Sequence, residues 1–210
     1  MDANLRAGMA IYNAGGYHGA HDAWEDHWLE LAQGTDDELF LHGLIQFTAA
    51  VYHARNRNWS GATGLAESSR EYLDSLPDTY RDVNLGAVRS YLGRLACDPE
   101  LIERRRPLAL TLDGDRIQLQ DLGFEGTCIA ADVLAAERAA DHPGEEAVIA
   151  QAIEYARADL ERTNSAIVPL LFDYVRESER RGIVVQRLGE HVQRRRNREA
   201  DVSGLFEPRE

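Results

Sequence analysis

The chain has 210 residues, 44% of them apolar, with 36 acidic against 23 basic side chains and a net charge of −13. That is enough apolar material for one sizeable core, and it excludes disorder for most of the length. The charge argues against a general nucleic-acid binder, since such domains are usually basic and hold DNA or RNA largely by neutralising phosphates.

All 23 cations are arginine, where average composition gives roughly a dozen lysines in a chain of this length. An acidic, lysine-free chain has the composition of proteins that work in concentrated salt, where multimolar ions screen the repulsion between carboxylates. No run approaches the ~18 consecutive apolar residues of a membrane helix. Residues 1–16 have neither a charged-then-apolar leader nor a cleavage pattern. The expectation is a cytoplasmic protein with no membrane association. Cys97 and Cys128 form no Cys-x-x-Cys pair and read as buried free thiols.

In chain order, Leu5, Met9 and Tyr12 recur at helical spacing, and the helix stops at Gly15-Gly16. From Tyr17 to Ala32 the apolar positions Tyr17, Ala20, Trp24, Trp28 and Leu31 define one face of a second helix, and His21 and Glu25 fall on that face. Thr35 to Glu38 has the capping-box pattern, a hydroxyl followed three residues later by a carboxylate. It predicts a third helix from Asp36 to Ala54, apolar nearly all round and therefore central. That helix's polar His42, Gln46 and His53 align in one stripe. A fourth helix runs from Gly61 to Leu76 and a fifth from Asn84 to Ala96.

The period then changes. Leu108, Leu110 and Leu112 alternate with smaller residues, Asp113-Gly114 suits a two-residue hairpin turn, and Ile117 and Leu119 resume the alternation. With that turn Leu110 lies opposite Ile117, and the apolar side chains share a face that must cover something, since a lone hairpin is marginal in water. Helical segments follow at 128–140, 144–163, 166–180 and 183–197, with Asn164-Ser165 as a cap. The fold class is therefore mainly α: an amino-terminal antiparallel bundle of about five helices, one β-hairpin, then three to four further helices. The predicted divisions are a bundle domain over 1–106, a hairpin and helical extension over 107–197, and a flexible tail over 198–210.

The densest chemistry lies on the second helix. His21, Glu25 and Trp28 stand as His-x-x-x-Glu-x-x-Trp; downstream come Leu41-His42-Gly43-Leu44-Ile45-Gln46, Ala49-Ala50-Val51-Tyr52-His53, and Asn58-Trp59-Ser60-Gly61-Ala62. In these segments the chain resembles the domain-of-unknown-function 309 family of small helical domains in bacteria and archaea, in a form like those of haloarchaea. The resemblance covers about residues 8–76. It implies a fold and a motif but no reaction.

His21 and Glu25 are one helical turn apart and can touch. On an apolar face a carboxylate needs a partner, and the stripe on the third helix is the natural source. One reading is a polar pocket of His21, Glu25, Trp28, Gln46, His53, Trp24 and His42 in a non-enzymatic module that stabilises the bundle or binds a small ligand or protein partner. The alternative is a divalent metal held by His21, Glu25 and His53, with a bound water as nucleophile in a hydrolase. His18, Asp22, Asp26 and Glu30 read as a solvated face and His27 as a surface residue, while Trp24 and Trp28 read as core anchors. The arginine runs at 104–106 and 194–198 can bind phosphate or RNA, but their acidic neighbours Glu100, Glu103, Glu190 and Glu199 favour internal salt bridges or a dimer contact. A homo-oligomer is left open.

Overall fold

The computed structural model describes residues 1–160 and 165–204. Among them the chain is mainly helical, with ten α-helices and one two-stranded hairpin, which agrees with the expected class. It divides into two compact units, Met1–Gly126 and Thr127–Glu210. The hairpin therefore belongs with the amino-terminal helices, and the predicted boundary after Arg106 moves to Gly126.

In the first unit the helices are α1 (Asp2–Asn13), α2 (Tyr17–Leu29), α3 (Asp36–Arg55), α4 (Trp59–Leu73), α5 (Leu85–Cys97) and a single turn, α6 (Leu101–Arg104), which the sequence reading did not separate. Each of the first five packs on its sequence neighbour, with α3 at the centre between α2 and α4. Local chemistry sets the ends. The Thr35 hydroxyl accepts the Glu38 amide at 3.3 Å to start α3, and the Asn58 side chain accepts the Gly61 amide at 3.2 Å to start α4. Phe40, Leu41, Leu44, Phe47, Ala50, Val51 and Ala54 of α3 are wholly enclosed, as an all-round apolar helix requires.

The α1–α2 contact is unusually close. Trp24 is fully buried against Gly8, where a Cβ would lie 2.2 Å from the indole ring. This rotates the buried face of α2 onto Gly19, Ala20, Ala23 and Trp24. His21, Glu25 and Trp28 are left on its margin rather than at its centre. Trp28 is accordingly half-buried and not the core anchor expected.

The hairpin pairs Thr111 with Arg116 and Leu112 with Asp115, so β1 (Thr111–Leu112) and β2 (Asp115–Arg116) are short but in the predicted register. Asp113 and Gly114 both have positive φ, 51° and 86°, as the favoured two-residue turn demands. Leu110 and Ile117 are buried. The Asn13 side chain fastens this face to the end of α1: its amide donates to the carbonyls of Leu110 (2.8 Å) and Ile117 (2.9 Å), and its oxygen accepts the Leu110 amide (3.0 Å). Asn84 secures the other side through Ala109 and Thr111.

The second unit holds most of α7 (Phe124–Arg138) together with α8 (Glu145–Ala158), α9 (Ile167–Arg176) and α10 (Arg181–Gly204), the last three of which pack on one another. Its polar core is Glu145, which accepts from Arg138 at 2.8 Å and from the Tyr174 hydroxyl at 2.6 Å. Of the expected cap at Asn164-Ser165, Ser165 accepts the amides of Ile167 and Val168; Asn164 and residues 161–163 of the predicted helix lie outside the described residues. The predicted tail is corrected in part, because α10 continues through residue 204. Glu199 is tied back to Arg195 and to the Tyr155 hydroxyl. Residues 205–210 lie outside the described residues. Cys128 is buried as expected, but Cys97, at the end of α5, is exposed.

Candidate functional site

Two ring contacts fix the register of α2 against α3: Trp28 meets His42 with centroids 4.6 Å apart, and His18 meets Tyr52 at 5.8 Å. The helices are therefore antiparallel, and the turn carrying His21 and Glu25 runs alongside the Gln46–Ala49 stretch of α3. The half-buried margins of both helices form one polar face, which the structure divides into three groups.

The first is on α2 alone. His21 Nδ1 lies 3.0 Å from Asp22 and its Nε2 3.9 Å from Glu25, and ligating atoms of His21, Asp22 and Glu25 all fall within 4.8 Å of one another. Asp22 also lies 3.2 Å from His18. Asp22 thus joins the motif from what had read as a solvated face. Glu25, expected on the apolar face, is 46% exposed at its side chain. The physical reason is the Trp24–Gly8 packing, which turns the inner face away from it.

The second group holds the buried carboxylate of this region. Glu38 is 7% exposed and accepts from the Trp28 indole at 2.9 Å and the Gly34 amide at 3.1 Å, with His42 Nδ1 at 3.4 Å. Burial alone would raise its pKa. The bonds from Trp28, Gly34 and His42 outweigh that and hold the carboxyl below the ordinary glutamate range. His42 is sandwiched, with Trp28 on one side and Tyr72 of α4 stacked on it with centroids 3.7 Å apart. These residues, with Leu29, Leu31 and Leu39, line an open pocket of about 500 Å³. Glu38 had a sequence signal, the capping box, but its carboxylate reaches Gly34 instead of the cap amide. Tyr72 lies within the predicted fourth helix but has no motif around it that marks it for a site.

The third group is His53, whose Nδ1 accepts the Asn58 side-chain amide at 2.8 Å. It is not among the atoms gathered around His21. Gln46 is half-buried. Trp24 is a core residue, its indole donating to the Leu5 carbonyl at 3.3 Å. His27, read as a surface residue, keeps only 21% of its side chain exposed, and its Nε2 has no partner among the described residues.

The site therefore offers two chemistries. His21, Asp22 and Glu25 present one imidazole and two carboxylates, a donor set suited to a divalent cation. Trp28, His42 and Tyr72 present rings around an ionised carboxylate. No helix among the described residues is long and apolar enough to cross a membrane.

The helices α2 and α3 lie within the stretch that matches a known family model. Over 88 residues, 42% of this chain, the sequence is 25% identical to an uncharacterised protein of Aquifex aeolicus (strain VF5), and the chain spans about a quarter (26%) of that relative's length. Residues 5–65, which hold α1 to α3 and the start of α4, match the model of a domain of unknown function, DUF309.

Proposed function

We propose that the chain is a binding module whose helical amino-terminal unit takes an organic ammonium group, on a small molecule or a partner's side chain, in the pocket beside Trp28. One arrangement carries this reading: the Glu38 carboxylate, held ionised at the base of a pocket walled by Trp28, His42 and Tyr72. A cation over aromatic faces gains from the ring quadrupole, and a desolvated carboxylate beside them adds charge pairing. Three donors occupy Glu38, out of about four acceptor positions on a carboxylate, which leaves one for the ligand. The exposed Leu29 at the rim suits an apolar body behind the ammonium group.

The test is a titration of isotopically labelled protein with aromatic amines and their neutral alcohol counterparts. Saturable shifts of the Trp28 indole N–H with the amines, lost in Glu38→Gln and Tyr72→Ala, support the reading. Equal shifts with the alcohols would sink it.

A second reading rests on a separate observation, the convergence of His21, Asp22 and Glu25. In it the module is a metal-dependent hydrolase, with His21, Asp22 and Glu25 as ligands and a bound water as nucleophile. Elemental analysis of protein purified without chelator separates the two. Stoichiometric metal lost in both His21→Ala and Glu25→Gln supports the enzyme, and substoichiometric metal unchanged by Glu25→Gln refutes it.

A further inference from the structure

Away from that face, five of the 23 arginines line one cavity of about 520 Å³ in the Met1–Gly126 unit. They come from three separate segments: Arg55 at the end of α3, Arg104, Arg105 and Arg106 after α6, and Arg116 on β2. Glu103 is the one acidic residue in the lining, and Arg57 already engages it at 2.9 Å. Arg104 pairs with Asp98, and Arg116 donates to the Asn13 carbonyl. The side chains of Arg55, Arg105 and Arg106 have no hydrogen-bonding or ion-pair partner among the described residues. The contrast with the second arginine run is direct. There Arg194 pairs with Glu190, Arg195 with Asp159 and Glu199, and Arg196 donates to Gln151.

Guanidinium groups drawn together from distant segments repel one another unless an anion sits among them. The floor adds hydroxyl chemistry. Tyr12 and Tyr17 line the cavity with rings 5.2 Å apart; the buried Tyr12 hydroxyl donates to the Leu108 carbonyl at 2.8 Å, which leaves the Tyr17 phenol, pushed up by burial against the pull of the nearby Arg55 and Arg116.

We propose that this cavity binds a small, multiply phosphorylated molecule. Phosphate is favoured because each guanidinium can grip two of its oxygens in a planar fork, and arginines arriving from several directions fit more than one such group. A cavity of this size falls in the range of small-molecule sites. A long nucleic acid fits poorly, because the same segments carry exposed Asp98, Glu100, Asp113 and Asp115 that would repel a polyanion extending beyond the cavity.

The experiment is calorimetric titration of the full chain with inorganic tripolyphosphate, orthophosphate and an RNA oligonucleotide lacking a terminal phosphate. It is run at the lowest potassium chloride concentration that preserves the full helical circular dichroism signal. Tripolyphosphate should bind at one site, more tightly than orthophosphate, and weaken by about tenfold or more in Arg105→Gln/Arg106→Gln and in Arg55→Gln. Melting temperatures without ligand should not fall, because these side chains make no internal ion pairs and each substitution relieves repulsion among the guanidinium groups. The proposal is overturned if tripolyphosphate does not saturate, if the variants bind as well as the parent, or if the RNA binds more tightly.

Discussion

A carboxylate's position decides its chemistry more than its presence does, and Glu38 and Glu25 make the point. Both were visible in the sequence, Glu38 as a helix-starting acid and Glu25 as a motif residue on an apolar face. Only Glu38 is buried, and it is held ionised by donors on either side of the α2–α3 turn. Because its folded pKa lies below the unfolded value, the unfolded chain binds the extra proton in acid. The stability Glu38 contributes is present above the ordinary glutamate range near ~4.3 and is lost as pH falls through the folded value. Glu38→Gln should cost about 1–3 kcal/mol at neutral pH, the range for stripping buried donors of an ionised acceptor, and should flatten the acid side of the profile. Urea unfolding at neutral and acid pH measures both; an unchanged acid slope would refute the assignment.

Between α1 and α2 a single glycine sets which residues reach the site. Gly8 lets the Trp24 ring lie directly on the α1 backbone, and that contact turns His21, Glu25 and Trp28 to the edge of the bundle. Gly8→Ala should therefore destabilise by about 2–3 kcal/mol through overpacking, read from thermal or urea melts, and should shift the Trp28 indole resonance as α2 rotates. Loss of stability with that resonance unmoved would separate the packing from the site. The sequence pattern placed α2 correctly but mistook the centre of its buried face. Periodicity counts apolar positions and cannot weigh a tryptophan that finds a glycine against one, Trp28, that finds only a half-buried edge. The hairpin was read more fully, because the Asp-Gly turn fixes its register locally. Its anchorage through Asn13, 97 residues before Leu110, has no local signal.

Across the whole molecule, charge is segregated rather than uniform. Exposed helix faces carry the acidic excess, as at Asp26 and Glu30 of the α2 region, while five arginines meet in one cavity. Diffuse carboxylate repulsion is screened by salt, so the melting temperature should rise steadily between about 0.1 M and about 3 M potassium chloride, where the Debye length shrinks to an ångström scale. A melting temperature that is flat or falls over that range would disconnect the lysine-free composition from life in concentrated salt.

By itself the sequence determined the helical class, most helix starts, the hairpin turn and its register, and the segments that resemble a known family. Each of these depends on neighbours a few residues apart, through caps, turn conformations and the period of apolar side chains. The tertiary structure alone decided that Glu38 and Tyr72 belong to the candidate site, that Asp22 stands beside His21 and Glu25 while His53 turns to Asn58, and that Arg55, Arg105, Arg106 and Arg116 share a cavity. The grouping of Glu38 with Tyr72 and that of the arginines depend on contacts between segments far apart in the chain. Those of Asp22 with His21 and Glu25 and of His53 with Asn58 are local in sequence but depend on helix rotation and side-chain conformation, which pattern does not encode.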